Sequence, residues 1–385
     1  MISLTSMDFE NWSSIVFLIV LAILIVRDRK NIEFKYGVFI RRMKKGREWI
    51  TRFGDKHKKF FSYFGSAAIV VGIIASIISF YLILQYSINV VRNPSQSVPG
   101  LKLILPSVPS AAVCSIALCI PFWYWIIGIL VVLLCHELSH AFVSRAENIK
   151  IKSFGLLSIL VLPGAFVEPD ERQLKKSSSV AKLKIYAAGS FANFIVFAIA
   201  GLIFLGIFRL FYVPSGVTYG GLIANSPAAN ASLNGTITEI NGNKVTSTQD
   251  FEKIMSNVKV GDTVDIKTAN GAYSLQTIAD SKNPKRTIIG IANPADYFAV
   301  NSSAGVLAGP IDWLDNLFGF LAFINVGIGL INILPLKPLD GGLVYEELFK
   351  IAFKKNIPAL INALSIITFG ILLLSAVGPY ILKLI

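Results

Sequence analysis

Residues 119–142 read CIPFWYWIIGILVVLLCHELSHAF, and this stretch decides the class of the fold. It carries no charged side chain before Glu137. A helix of about 20 apolar residues, rising about 1.5 Å per residue, is long enough to cross the hydrocarbon core of a bilayer. We therefore predict a membrane-spanning helix with a polar end. Two of the three histidines of the chain, His136 and His140, lie in that polar end.

The rest of the chain has the composition of a membrane protein. Of its 385 residues, 54% are hydrophobic and 15% are charged, whereas roughly a quarter of the residues in soluble domains are charged. Apolar runs close to the thickness of a bilayer recur along the sequence. We predict a polytopic α-helical membrane protein with about six transmembrane helices. They are Trp12–Val26, Phe61–Tyr86, Cys119–Phe142, Ile185–Tyr212, Trp313–Leu334 and Ile357–Leu382.

Basic residues indicate the orientation of these spans in the cell membrane. The net charge is +13, and a dense group of Lys and Arg residues fills the segment Arg27–Lys59 between two apolar runs. Basic loops of this kind stay in the cytosol. We therefore expect an external N-terminus and crossings that alternate thereafter. No zinc-finger, RRM or helix-turn-helix pattern accompanies the charge, so we expect the lipid bilayer, and not nucleic acid, as a partner.

Residues 214–308 contain no long apolar run and predict a small α/β domain inserted between two spans. Short alternating segments at Thr236–Ile240, Thr263–Thr268 and Tyr273–Ile278 predict strands, and Asn-Gly pairs predict turns between them. The alternation of crossings places this domain outside the cytosol. Asn-x-Ser/Thr sequons occur in the external segments, where glycosylation and a simple richness of polar residues are both open explanations.

The cysteines do not predict a disulfide framework. Cys114, Cys119 and Cys135 lie in or beside apolar runs, and their spacing is not that of a metal site. Cys135 directly precedes His136, but we interpret it as a small packing residue.

The segment His136-Glu-Leu-Ser-His140 matches the H-E-x-x-H pattern of zinc peptidases. A step of four residues brings both imidazoles to one face of a helix, close enough to share one Zn²⁺. Glu137 is then placed to take a proton from a water that the metal activates. The alternative is a hydrogen-bonded polar cluster between helices, which would also offset the cost of polar groups in the membrane.

A catalytic zinc needs a third protein ligand if one position is left for water. The remaining histidine, His57, lies in the basic loop, so the candidates are carboxylates. Asp340 follows the fifth apolar run, where Pro335 and Pro338 end the helix. By the predicted orientation, Asp340 and His136 lie at the same depth near the cytosolic side. Asp340 as an ordinary helix-capping carboxylate is the alternative.

Both motifs resemble those of the site-2 protease family of intramembrane metalloproteases, which carries H-E-x-x-H and Asn-x-x-Pro-x-x-x-x-Asp-Gly patterns, the latter matched here by Asn332 to Gly341. The resemblance implies a core of three helices that holds zinc through two His and one Asp, with a polar path from the cytosol. It assigns His136, His140 and Asp340 as metal ligands and Glu137 as the general base. It also assigns Asn332 to a contact with the substrate carbonyl or its oxyanion.

Other segments fit the same resemblance. Pro163–Pro169 looks like the family's hairpin near the active site, and Gly189-Ser-Phe-Ala-Asn193 looks like its Gly-x-x-x-Asn helix motif, in which small residues allow close packing. The segment from Ser226 to Asp265 resembles a PDZ domain of the type associated with proteases, with Tyr219–Leu222 as its peptide-binding loop. Such domains bind extended chains by adding a strand.

The sequence thus predicts a zinc metalloendopeptidase that cleaves transmembrane segments of membrane proteins after another protease has removed most of the external part. Two alternatives stay open at this point. One is a different membrane zincin that uses a downstream Glu instead of Asp340, and the other is a non-enzymatic membrane adaptor that recruits partners through its PDZ-like domain. The predicted domains are 1–110 with two N-terminal helices and the basic loop, 111–213 with the first half of the protease core, 214–308 with the PDZ-like insertion, 309–345 with the second half of the core, and 346–385 with the last helix.

Overall fold

A computed structural model describes residues 4–35, 38–107, 114, 117–159, 162–281 and 283–383. Helices dominate it. In chain order the α-helices are α1 (Leu4–Arg27), α2 (Lys44–Lys56), α3 (Lys58–Arg92), α4 (Phe122–Ala146), α5 (Glu171–Lys176), α6 (Ser179–Phe211), α7 (Pro227–Asn230), α8 (Thr248–Met255), α9 (Ala308–Asn332), α10 (Asp340–Phe353) and α11 (Pro358–Ile381).

Apolar helices long enough to cross a membrane confirm the predicted class of fold. Within the described residues five qualify, namely α3, α4, α6, α11 and the helical segment Ser302–Asn332 that ends with α9. The first predicted span corresponds to the apolar part of α1, Trp12–Arg27, which is shorter than the others. A crossing by α1 therefore stays a prediction. The five longer helices already make the chain a multi-pass membrane protein.

Strands form two larger sheets and two short pairs. They are β1 (Ile32–Lys35), β2 (Val38–Arg42), β3 (Ile104–Pro106), β4 (Leu118–Ile120), β5 (Ile151–Ile159), β6 (Leu162–Pro169), β7 (Tyr212–Leu222), β8 (Ile237–Ile240), β9 (Asn243–Lys244), β10 (Thr263–Thr268), β11 (Gly271–Gln276), β12 (Ile278–Ala279), β13 (Thr287–Ile288) and β14 (Ile291–Val300). The first larger sheet has the order β1-β2-β5-β6 and is antiparallel throughout.

The chain divides into two compact units. One comprises residues 1–202 and 317–385, and the other comprises residues 203–316. The second unit is an α/β domain with a sheet of order β11-β10-β8-β7-β14, so the predicted insertion is present. Its core forms because inward side chains alternate along β10, where Val264 and Ile266 are almost fully buried beside Ile237 and Ile240.

Two details of the sequence-based prediction are wrong. Tyr219–Leu222 is not a loop but the end of β7, where it pairs with the first half of β14. Cys114 and Cys119 form a disulfide, although we expected none. The two cysteines are five residues apart in the chain, just before α4, and so short a separation matches neither the spacing of a metal site nor a larger disulfide framework. Cys135 is a free thiol.

Candidate active site

Three side chains from two distant parts of the chain converge at the polar end of α4. The Nε2 atoms of His136 and His140 lie 3.1 Å apart. Asp340 Oδ2 lies 2.9 Å from His136 Nε2 and 3.2 Å from His140 Nε2. Only 10%, 13% and 18% of the respective side chains are exposed. Three ligand atoms that point to one another in a buried place form a candidate metal centre.

Local sequence explains why Asp340 reaches this position. The helix α9 ends at Asn332, ahead of the two prolines, and α10 begins at Asp340. A Cβ on Gly341 would overlap the backbone carbonyls of Ile333 and Leu334. Glycine is therefore required for the start of α10 to pack against the end of α9. The Asp-Gly pair thus combines a ligand with the close backbone contact that delivers it.

The geometry fits a zinc ion. Tetrahedral zinc with ligand bonds of about 2.0–2.2 Å separates its ligand atoms by about 3.3 Å, which is close to the distances between the three ligand atoms. Gly189 of α6 supplies the space. A Cβ built on Gly189 would lie 2.5 Å from His140 Nε2 and 2.6 Å from His136 Nε2, near the place that the metal would take. Because Gly189 has no side chain, α6 passes close to the candidate metal centre and leaves the metal position free.

Hydrogen bonds orient both imidazoles toward the metal. Nδ1 of His140 donates to the carbonyl oxygen of Ile185 over 2.6 Å, which leaves Nε2 free to bind the ion. Nδ1 of His136 lies 3.3 Å from the side-chain amide of Asn193, which is fully buried. The Oδ1 atom of Asn193 has no partner, and a half turn of the amide lets it accept from an Nδ1–H of His136. Partners of this kind fix the tautomer and the ring orientation of metal ligands.

Asp340 supplies the oxygen atom of the three candidate ligands. Metal ligands bind in their deprotonated forms, so the site would hold the ion through a carboxylate and two neutral imidazoles.

Glu137 faces the strand β6. Its Oε2 accepts a hydrogen bond from the backbone N–H of Val167 over 3.1 Å. The segment Pro163–Pro169, which the resemblance places in a hairpin near the active site, belongs to the strand β6, which pairs with β5. This strand lies beside the candidate general base.

Asn332 is the last residue of α9 and is half-buried. Its contact with the substrate stays a prediction.

One feature near the site has no signal in the local sequence. Nζ of Lys182 in α6 lies 3.1 Å from Oε1 of Glu347 in α10, and their side chains are 8% and 10% exposed. Glu347 and Asp340 are seven residues apart and share one face of α10. Lys182 and Gly189 are likewise seven residues apart and lie on one face of α6. The ion pair therefore holds the helix that begins with Asp340 against the helix that borders the metal.

We expect Lys182→Met to weaken zinc binding by about tenfold or more, the usual cost of losing a group that supports a ligand. The Glu347 carboxylate would lose its buried partner and keep the more exposed Lys350, whose Nζ lies 3.8 Å from Oε2, so α10 would shift away from α6. Competition with a chelator measures the affinity. Lys184→Met is the matched control, because Lys184 lies on the same helix but pairs with Glu147 of the α4 terminus over 2.8 Å. Equal zinc affinity of the two variants would contradict this role of Lys182.

Two imidazoles, a carboxylate and a neighbouring glutamate, assembled on apolar helices, define a zinc metallopeptidase embedded in a membrane. A family profile described as peptidase family M50 matches residues 124–376, and the chain belongs to this family. It is a zinc metalloprotease of the site-2 type, as the sequence motifs predicted.

The curated relatives whose names state a function agree with this class. The putative zinc metalloprotease CPE1693 of Clostridium perfringens is 24% identical over 63% of this chain and 91% of its own length. The regulator of sigma-W protease RasP of Bacillus subtilis is 26% identical over 54% of this chain and 60% of its own length. The protein MJ0971 of Methanocaldococcus jannaschii is 27% identical over 89% of this chain and 86% of its own length.

The inserted domain has similarity to solved structures, of which one example matches a fifth of the chain. It is the PDZ domain of an SdrC-like protein from Listeria monocytogenes, which is 35% identical over 20% of this chain and 85% of its own length, with a TM-score of 0.18. The fold of the inserted domain is defined by its own sheet and helices.

Proposed function

We propose that this protease hydrolyses peptide bonds within the transmembrane segments of membrane proteins. The observation that carries the proposal is the convergence of His136, His140 and Asp340 at the end of an apolar helix that is long enough to cross the bilayer. In this proposal the three residues hold zinc and Glu137 is the general base. Asn332 contacts the substrate carbonyl or its oxyanion.

Each residue has a defined task in this reaction. Bound zinc supplies Lewis acidity, which lowers the pKa of water and polarises a carbonyl. Glu137 takes the proton of the attacking water and passes it to the departing amine. Ile185 and Asn193 hold the imidazoles in the orientation that binding needs. Gly189 keeps the site open.

The substrate must be extended before it is cleaved, because the backbone amides of a transmembrane helix are already hydrogen-bonded. The strand β6 lies at the edge of its sheet and contacts Glu137 through Val167. An unwound substrate adds to such an edge as a further strand. This arrangement would present its carbonyl groups to the metal, and helix-breaking residues in the substrate would favour cleavage.

The orientation in the cell membrane follows from the basic segment 27–59. With that segment in the cytosol, the active site opens toward the cytosolic side and the inserted domain lies on the external side. An external domain next to an intramembrane protease is well placed to inspect substrates that another protease has shortened.

The inserted domain contains a groove suited to a chain terminus. A cavity of about 1220 Å³ lies between α8 and the start of β14 and is lined by Phe251, Met255, Gly290 and Ile291. Lys285 and Arg286 line it together with Glu252 and Asp280, and the two basic groups offer partners for a carboxylate. Since β14 is an edge strand, an extended peptide has an edge to pair with. This groove takes the place of Tyr219–Leu222 as the predicted peptide site.

Reconstituted protease tests the proposal with one transmembrane substrate in three forms, which carry the complete external domain, a trimmed end with a free C-terminal carboxylate, or the same trimmed end amidated. We expect the trimmed form with the free carboxylate to be cleaved at least about tenfold faster than the complete one, which corresponds to about 1.4 kcal/mol of discrimination. Faster cleavage of both trimmed forms alike would indicate a size filter without terminus binding. Equal rates for all three forms would contradict a requirement for prior cleavage.

A further inference from the structure

The short helix α2 (Lys44–Lys56) has an exposed face that the proteolytic reaction does not use. It directly precedes the membrane-spanning helix α3, which begins at Lys58. Two aromatic side chains on this face are open, since Trp49 is 49% and Phe53 is 37% exposed. Their rings stack with centroids 5.4 Å apart.

Residues on the opposite face of α2, together with the inner sides of the two rings, fix the helix against the end of α4. Ile50 is fully buried, and a Cβ on Gly54 would lie 2.8 Å from Cβ of Arg145. The ring centroids of Trp49 and Phe53 lie 5.7 Å and 5.2 Å from that of Phe142. Phe142 is four residues from the end of α4, a membrane-spanning helix. The exposed rings are therefore at the level where a span leaves the hydrocarbon and enters the headgroup region.

Basic side chains surround these rings. Lys45, Arg52 and Lys56 are exposed and follow the same side of the helix as Trp49, at spacings of three and four residues. In the part of the chain that the structure describes, none of the three has an ion pair or a side-chain hydrogen bond. By contrast, the nearby Asp55 is bound by Arg145 at 2.7 Å. The exposed Glu48 is a helical neighbour of Lys45 and Arg52, so the face combines apolar rings with three basic groups against one carboxylate and keeps a net positive charge.

We propose that this face of α2, formed by Lys45, Trp49, Arg52, Phe53 and Lys56, binds the headgroups of anionic phospholipids. Aromatic rings at the boundary enter the upper acyl region while Lys and Arg contact phosphate, which is how interfacial helices bind acidic membranes. A free phosphate ion would use the charges but leave the rings exposed. Since α2 is packed on α4, bound lipid would also hold the ligand-bearing helix at a constant depth. This inference goes beyond the proposed proteolytic function.

Quenching of tryptophan fluorescence in the complete protein tests whether α2 binds anionic phospholipids. The protein is reconstituted in nanodiscs of phosphatidylcholine and phosphatidylglycerol, with bromine on the acyl chains of one lipid or of the other. The signal of Trp49 is obtained by subtracting that of Trp49→Phe. We expect an about tenfold preference of the Trp49 site for the anionic lipid, and we expect this preference to fall as salt concentration rises.

In the triple variant Lys45→Gln, Arg52→Gln, Lys56→Gln, the two brominated lipids should quench the fluorescence of Trp49 equally. The matched control replaces Lys244, Lys253 and Lys259 by Gln, which removes the same charge from exposed positions of the inserted domain and should retain the preference. Equal quenching of wild-type Trp49 by the two lipids would overturn the proposal. The proposal would also be overturned if the triple variant kept the preference for the anionic lipid, or if the preference of the wild type did not change with salt concentration.

Discussion

The Glu137→Gln variant is expected to bind zinc like the wild type and to hydrolyse peptide bonds about a thousandfold more slowly, within the range that a lost general base accounts for. Glutamine has nearly the shape of glutamate and still accepts the hydrogen bond from Val167, but it does not take up a proton. Glu137 is not one of the three converging ligands, so the metal should stay in place.

Zinc content and cleavage of a model transmembrane substrate are measured on the same purified sample. The matched control is Glu147→Gln, which changes the same functional group at the end of α4, where it binds Lys184 and not the site. The control should keep its activity. A Glu137→Gln protein as active as the wild type would remove Glu137 from the mechanism, whereas loss of zinc in that variant would make it a ligand.

The Gly189→Ala variant is expected to lose zinc. The new methyl carbon would lie 2.5 Å and 2.6 Å from the Nε2 atoms of His140 and His136, where the ion should be. The methyl group either occupies the metal position or pushes α6 away from the imidazoles that it orients. We expect the affinity for zinc to fall by about a hundredfold, the upper range for losing support around a ligand set.

Gly201→Ala provides the comparison on the same helix. A Cβ at Gly201 meets no atom within 4 Å, so this variant should bind zinc normally and should gain slightly in helix stability. Circular dichroism in the same detergent shows whether both variants are folded. Stoichiometric zinc with unchanged affinity in a folded Gly189→Ala protein would contradict the proposed position of the metal.

Features set by local periodicity or short motifs could be predicted from the sequence. The apolar runs have the length of a bilayer, and Thr263–Thr268 alternates in hydrophobicity, so both predict elements that the structure contains. The step from His136 to His140 defines one helix face because the helical period is fixed. Zinc chemistry requires a third ligand, and the chain offers no further histidine in an apolar segment, so carboxylates were the candidates. The family resemblance then assigned Asp340, which the structure brings to both imidazoles.

Features that depend on distant contacts could not be predicted in this way. Gly189 reads as a residue for close helix packing, and only the structure shows that the imidazoles are its neighbours. The pair of Lys182 and Glu347 joins residues far apart in the chain. The resemblance to a PDZ domain assigned Tyr219–Leu222 to a peptide-binding loop, whereas its pairing with β14 makes it a strand.

Anomalous diffraction at the zinc edge from the zinc-loaded wild-type protein tests the central claim most directly. The structure predicts one peak within about 2.0–2.2 Å of Nε2 of His136, Nε2 of His140 and a carboxylate oxygen of Asp340. A zinc peak bound by the two histidines but well beyond bonding distance from Asp340, or a peak at another place in the chain, would contradict it.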